Sequence, residues 1–361
     1  HESRGLGDVY KRQGMDSYFN AQGLNADGVT PDPSHTRLLD VEALTDYMLV
    51  HYWTGELDGM RGNWGLNNYI CAFNREEPDG FKYFKYDSEW SLDVGFNNNV
   101  TRTDSSTDFN RFNALVMHGK LVENREYLLA FADQTHKHFF NDGIMTPGNA
   151  LALFTRRTDE IDLAIIGESA RWGDAKTTDA PKTRNDDWIP DVNVTRNWIS
   201  SRTATVLNQL RNAGWYPDLD APVFSQHGGT FSGGFELGIS GSNTVVYTLD
   251  GTDPRQMFTG GIQGTVYSGP VPLTHGVVVK ARTKGRGDSW SALNQAIFVP
   301  EGDNTLRISE VMYNPRKPVG AETDNGQVRA DFEFIEIHNP GPAEIGLAGI
   351  ELKAELGKGV S

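Results

Sequence analysis

Three oxygen-bearing side chains sit around one short stretch of the sequence. Asn68 precedes the run Tyr69-Ile70-Cys71-Ala72-Phe73, then comes Glu76-Glu77-Pro78-Asp79-Gly80, and Phe81-Lys82-Tyr83-Phe84-Lys85-Tyr86 leads into Asp87 and Glu89. The two aromatic-rich runs predict short strands, and Pro78-Asp79-Gly80 between them predicts a turn. A hairpin brings its outer ends together, so Asn68 and Asp87 are predicted neighbours, with Glu89 close by. An amide oxygen beside carboxylates is a hard-oxygen pocket suited to Mg²⁺. A single Asp after a strand is ordinarily a turn or cap residue; only the set points to metal chemistry.

The elements that must position this set read as helices on either side of it. Val41 to Trp53 carries Leu44, Tyr47, Met48 and Val50 at helical spacing behind the loop Pro31-Asp32-Pro33-Ser34. Asp108 to His118, Asn124 to Phe140, Pro147 to Glu168 and Thr195 to Arg211 read the same way, with Asn141-Asp142-Gly143 closing the second of these. His136 and His138 are two apart, so on a helix they diverge and read as surface and core-edge residues rather than a metal pair.

At Pro217-Asp218-Leu219-Asp220-Ala221-Pro222 the helical period stops. Val223-Phe224, Phe235 to Ile239, Thr244 to Leu249, Thr265 to Tyr267 and Gly276 to Ala281 alternate like strands, with turn residues roughly every 8–12 positions, which argues a small β-sandwich. Asp250 and Asp253 are possible Ca²⁺ ligands, but a tight Asp-Gly turn accounts for them at lower cost. The Gly228-Gly229 and Gly233-Gly234 pairs lack the Lys and the helix that a phosphate loop requires.

Composition bounds the function. The 361 residues allow two or three domains. A net charge of −15 argues against nucleic acid or an anionic membrane as partner, since both demand a basic face. No apolar run reaches the length of a membrane helix. Cys71 is the single cysteine, and its place mid-strand among apolar neighbours predicts a buried structural thiol.

The motifs carry a family resemblance. Leu38-Leu39-Asp40-Val41-Glu42-Ala43-Leu44-Thr45-Asp46-Tyr47-Met48-Leu49, Asn67-Asn68-Tyr69, Tyr86-Asp87-Ser88-Glu89-Trp90-Ser91-Leu92 and Gly167-Glu168-Ser169-Ala170-Arg171-Trp172-Gly173-Asp174 resemble the C-terminal part of a CotH-family (spore-coat kinase-like) domain, over residues 15 to about 212. The resemblance implies an atypical protein kinase fold using Mg²⁺ and ATP, in a secreted or cell-surface bacterial multidomain protein. It gives Asp87 the metal-binding aspartate role, Asn68 the second ligand role and Asp58 the place of the catalytic base. The family often has a second Asp where this chain has Glu89. Asn63, five residues after Asp58, has the spacing of the ordinary kinase catalytic loop and competes with Asn68 for the ligand role; the hairpin places Asn68 independently.

Two further resemblances follow. Val246-Tyr247-Thr248-Leu249-Asp250-Gly251-Thr252-Asp253-Pro254 and Tyr267-Ser268-Gly269-Pro270 resemble the chitobiase/hexosaminidase C-terminal β-sandwich, a module that serves as spacer or carbohydrate contact. Leu306 to Pro315 and Phe332 to Gly341 resemble the two signature strands of a lamin-tail domain, an Ig-like sandwich that the sequence carries about halfway. Unpaired inner faces would leave that piece weakly stable, and Glu310, Glu333 and Glu336 are expected on its solvated face.

The expected architecture is multidomain, α+β then all-β. A mainly helical kinase-like C-lobe with a small hairpin spans 14–214, and two Ig-like β-sandwich modules follow at 215–300 and 303–361, the second incomplete. Residues 1–13 read as sequencing-adapter read-through, because Asp8-Val9-Tyr10-Lys11-Arg12-Gln13 is what the transposon end GAT-GTG-TAT-AAG-AGA-CAG encodes. The stretch before Leu38 is too short for the N-terminal lobe that holds the nucleotide-clamping Lys, so the chain is expected to be an inactive fragment of an active parent. Two classes remain. One is a phosphotransferase acting on a protein hydroxyl. The other is an extracellular adhesion or glycan-contact scaffold with a degenerate kinase-like block.

Overall fold

In the computed structural model, which describes residues 15–56, 68–76, 78–89, 91–92, 113–175, 177, 179–301, 306–313, 315–339 and 347, helices occupy the N-terminal half and strands the C-terminal half. The chain divides into two compact units. The first runs up to Ala221 and includes the later segments Arg255–Gly261 and Arg282–Asn294; the second holds Pro222–Pro254, Ile262–Ala281 and the residues from Gln295 onward.

The first unit is organised by the helix that periodicity predicts. After the short α1 (Met15–Asn20), α2 spans Val41–Thr54. It starts where the Asp40 carboxylate accepts from the Ala43 N–H at 3.0 Å and stops at Gly55, whose φ of 66° is the left-handed cap that glycine takes without strain. Leu44, Met48 and Leu49 are fully buried in it, each contributing ~1.5–3 kcal/mol by leaving water. α3 (Ala114–Leu121) and α4 (Arg125–Phe139) follow. Of the helix expected over 108–118, residues 108–112 lie outside the described residues. Asn124 caps α4 by accepting from the Glu126 and Tyr127 N–H groups.

The single helix expected over 147–168 is two, α5 (Pro147–Ile161) and α6 (Ala164–Trp172). The break falls at Asp162, whose carboxylate is held by a fork from Arg184 at 2.7 Å, a long-range tie that local spacing does not encode. The last helix starts earlier than expected: α7 spans Ile189–Asn212, with Pro190 in its first turn, a position where the missing N–H costs nothing. Arg202 on α7 is buried and donates to the Trp53 and Tyr52 carbonyls at the end of α2. Its cation therefore faces the negative end of that helix; burial lowers its pKa to about 10.

The hairpin is present, with β1 (Tyr69–Ala72) and β2 (Lys82–Lys85) antiparallel and Tyr69 opposite Lys85. Gly80 sits at φ 92°, and a Cβ there would lie 2.5 Å from the Asp40 backbone nitrogen. The turn thus packs directly on the start of α2, where Lys82 pairs with Asp40 and the Phe81 N–H donates to the Leu38 carbonyl. Only glycine fits that approach.

Cys71 corrects the sequence reading: its thiol is exposed. The rings of Tyr69 and Tyr83 pack against Tyr47 on the inner face of the hairpin, and Cys71, opposite Tyr83 on that same face, lies beside Tyr69 at its exposed edge. Folded protein should therefore react with a thiol reagent such as Ellman's at one equivalent without denaturant. Labelling only after urea would refute the exposure.

Among the strands, β4 (Gly229–Phe231), β7 (Thr244–Thr248), β8 (Thr265–Val266), β10 (Val277–Lys284) and β11 (Asn294–Pro300) form a five-stranded sheet ordered β4-β11-β10-β7-β8, with β4 and β11 parallel, nearly all of it in the second unit. The pairs β3 (Val223–Phe224) with β6 (Ile239–Ser240), and β5 (Glu236–Leu237) with β9 (Val271–Pro272), add two small sheets. Phe224, Leu237, Ile239, Val277, Val279 and Phe298 are among the residues of its core. Asp250 accepts from the Thr252 N–H and hydroxyl beside Gly251 at φ 77°, and the Thr252 hydroxyl above all holds its carboxyl below the ordinary range. That is the tight turn expected of it. Further on, β12 (Arg307–Met312) pairs antiparallel with β13 (Phe334–His338). Every residue of β13 is exposed, as are Ile308 and Val311 of β12, and Glu310 lies opposite Glu336.

Candidate functional site

The mouth of the hairpin holds the candidate set. Asn68 and Asp87 flank β1 and β2, and both turn with left-handed backbone, at φ 54° and 51°, a conformation that Asn and Asp tolerate better than most residues. The Asn68 amide, itself buried, donates to the Asp87 backbone carbonyl at 3.3 Å. The proximity expected from the turn is present, and it is made through the Asp87 main chain.

The two carboxylates are differently placed. Asp87 and Glu89 are exposed, and among the described residues neither carboxylate is engaged in a hydrogen bond or ion pair. Leu92 returns the strand to the end of α2 by donating to the Thr54 carbonyl at 2.8 Å. Asp58 and the competing Asn63 lie outside the described residues. Glu56, two positions before Asp58, is within reach of the site: its carboxylate is buried and paired with Lys85 of β2. Burial holds the Lys85 ammonium below its ordinary value, and Glu56 opposes that. Sequence reading missed this pair. The only local signal was a lysine on the strand face otherwise occupied by Tyr69 and Tyr83.

An amide oxygen with two carboxylates would be an all-oxygen donor set, of the kind that suits Mg²⁺ rather than a softer metal; the contact present joins Asn68 to the Asp87 main chain. Among the described residues no group of three or more His, Cys, Asp or Glu is placed to hold a metal ion. His136 and His138 do not converge. His136 is buried, not at the surface, with its Nδ1 2.9 Å from the Tyr216 hydroxyl, while His138 Nε2 lies 3.0 Å from Asp46.

Among the described residues no helix is long and apolar enough to cross a membrane. The model of a family described as Fn3 associated matches residues 236–295. That stretch holds β5 to β10 and the start of β11. No curated protein matches the chain by sequence.

Proposed function

We propose that the helical unit is a CotH-like kinase-like domain of a secreted or cell-surface bacterial protein, and that Asn68, Asp87 and Glu89 hold Mg²⁺ for ATP. The observation that carries the reading is the approach of Asn68 to Asp87 at the hairpin mouth, with the Asp87 carboxylate left unengaged. Mg²⁺, when bound, would neutralise the nucleotide phosphates. The chain's own contribution is placement. The turn at Gly80 fixes the hairpin on α2, the Asn68 amide closes its mouth, and the Glu56–Lys85 pair holds the end of α2 to β2. Asp58 is proposed to orient a protein hydroxyl for phosphoryl transfer in the intact parent, on the family resemblance alone. The strand-rich modules would present a substrate or contact carbohydrate.

The test is Mg²⁺-dependent nucleotide binding followed by calorimetry. Asp87→Ala should weaken binding at least tenfold, the loss of one charged metal ligand, with unchanged helical circular dichroism. Equal binding by Asp87→Ala would remove Asp87 from the site.

A second reading has an observation of its own. The Asn68 amide nitrogen is committed to the Asp87 carbonyl, which is what a purely structural hairpin clasp requires. On this reading the helical unit is a degenerate kinase-like block in an adhesion or glycan-contact scaffold. It predicts no Mg²⁺-dependent nucleotide binding in the unsubstituted chain.

A further inference from the structure

Between β7 and β8 the chain makes a small closed loop. Its segment Arg255–Gly261 belongs to the first unit, although the residues on either side of it belong to the second. The Gln256 N–H donates to the Gly261 carbonyl at 2.8 Å, and the Gly260 N–H donates back to the Gln256 carbonyl at 3.0 Å. A loop whose ends are tied to each other in this way can move as one piece.

The loop is strained, and one buried carboxylate holds it. Phe258 has left-handed backbone, at φ 62°. Bulky side chains avoid that conformation, and it persists only where surrounding contacts impose it. Here the contacts converge on Glu126 of α4. Its carboxylate accepts from two guanidinium nitrogens of Arg255, at 2.8 and 2.6 Å, and from the Phe258 N–H at 3.2 Å.

Beneath the loop lies α1. The Phe258 ring meets the buried Phe19 ring edge-on, with centroids 5.3 Å apart. A Cβ on Gly28 would fall 2.6 Å from the Met257 sulfur and 2.7 Å from the Phe19 ring, so Met257 and Phe19 close over that glycine without a gap. With six residues, α1 is too short to persist without packing.

We propose that Arg255–Gly261 is a strap, latched on Glu126, that holds α1 shut, and that strap and α1 open together while α2 and α7 stay folded. Opening relaxes the backbone at Phe258, whereas closure gains the Arg255 fork, so the latch decides the balance. Through this strap the Fn3-associated stretch controls how the start of the helical unit is held. The strap does not rest on the metal-site reading and involves none of its residues.

Hydrogen exchange followed by mass spectrometry on the whole chain, in urea below the unfolding transition, tests it. In the parent chain, peptides covering 15–20 and 255–261 should exchange at one common rate, faster than α2 and α7. Arg255→Lys exchanges the fork for a single point charge, and should speed both segments about tenfold while leaving α2 and α7 unchanged. Gly260→Ala strains the strap without touching the buried pair, since its backbone sits at φ 64° and the new Cβ would lie 3.0 Å from an Arg125 guanidinium nitrogen. It should speed the same two segments. The proposal is overturned if the two segments exchange at different rates in the parent chain, if α2 and α7 speed up with them in the variants, or if neither variant changes α1.

Discussion

Replacing Glu126 by alanine is expected to destabilise the first unit by about 3–5 kcal/mol, the range for breaking a buried ion pair from one side. Glu126 and Arg255 expose only 7% and 3% of their side chains. Arg255 reaches both carboxylate oxygens, at 2.8 and 2.6 Å, and the Phe258 N–H adds a third donor at 3.2 Å. Glu126→Ala removes the acceptor of all three and leaves the guanidinium in place without its bidentate carboxylate. Urea unfolding followed by circular dichroism measures the effect as a lowered midpoint. The paired replacement Glu126→Leu with Arg255→Met should recover most of the loss, because two apolar groups require no partner. A loss below about 1 kcal/mol for Glu126→Ala would mean that the pair behaves like an exposed one.

His118 is expected to make the fold acid-sensitive well above the carboxylate range. It is fully buried, with its Nδ1 2.7 Å from the Tyr127 hydroxyl and its ring against Phe131 and Trp215 at 4.8 and 4.9 Å. Burial lowers its pKa from 6.5 to about 3. Between those values the unfolded chain binds a proton that the native state refuses, so stability rises with pH. The contribution is complete above about pH 6.5 and is lost as pH falls toward 3, at ~1.4 kcal/mol per pH unit, or about 2 kcal/mol by pH 5. His118→Phe should cost stability at pH 7, where Tyr127 loses its partner, and should show a smaller drop between pH 7 and 5 than the parent chain. Equal drops in both proteins would locate the acid sensitivity elsewhere.

Some of this is legible in the sequence. α2 and α4 follow from apolar spacing, and their caps, Asp40 and Asn124, are residues that serve as N-caps in most proteins. The hairpin follows from aromatic runs around Pro78-Asp79-Gly80, and with it the meeting of Asn68 and Asp87. Each of these rests on residues a few positions apart. The exposure of Cys71 was not legible, because alternation gives a strand two faces without saying how far the neighbouring helix extends over one of them. Nor was the break at Asp162, since it coincides with a fork from Arg184 twenty-two residues on.

The charged residues of α4 mark the boundary most clearly. As sequence, Glu126 and Asp133 belong to a polar helix face, and Arg255 and Arg282 to turns and strands of a different module. In the folded chain Arg255 closes on Glu126 across 129 positions, and Arg282 closes on Asp133 at 2.7 and 2.6 Å across 149. The sequence alone determined α2, α4 and the hairpin, because backbone preference and apolar period act within a few residues. Tertiary structure alone decided which carboxylates are buried and paired and which, like Asp87, stay open to a ligand. Burial of a charge depends on a partner that arrives from anywhere in the chain and leaves no period behind it.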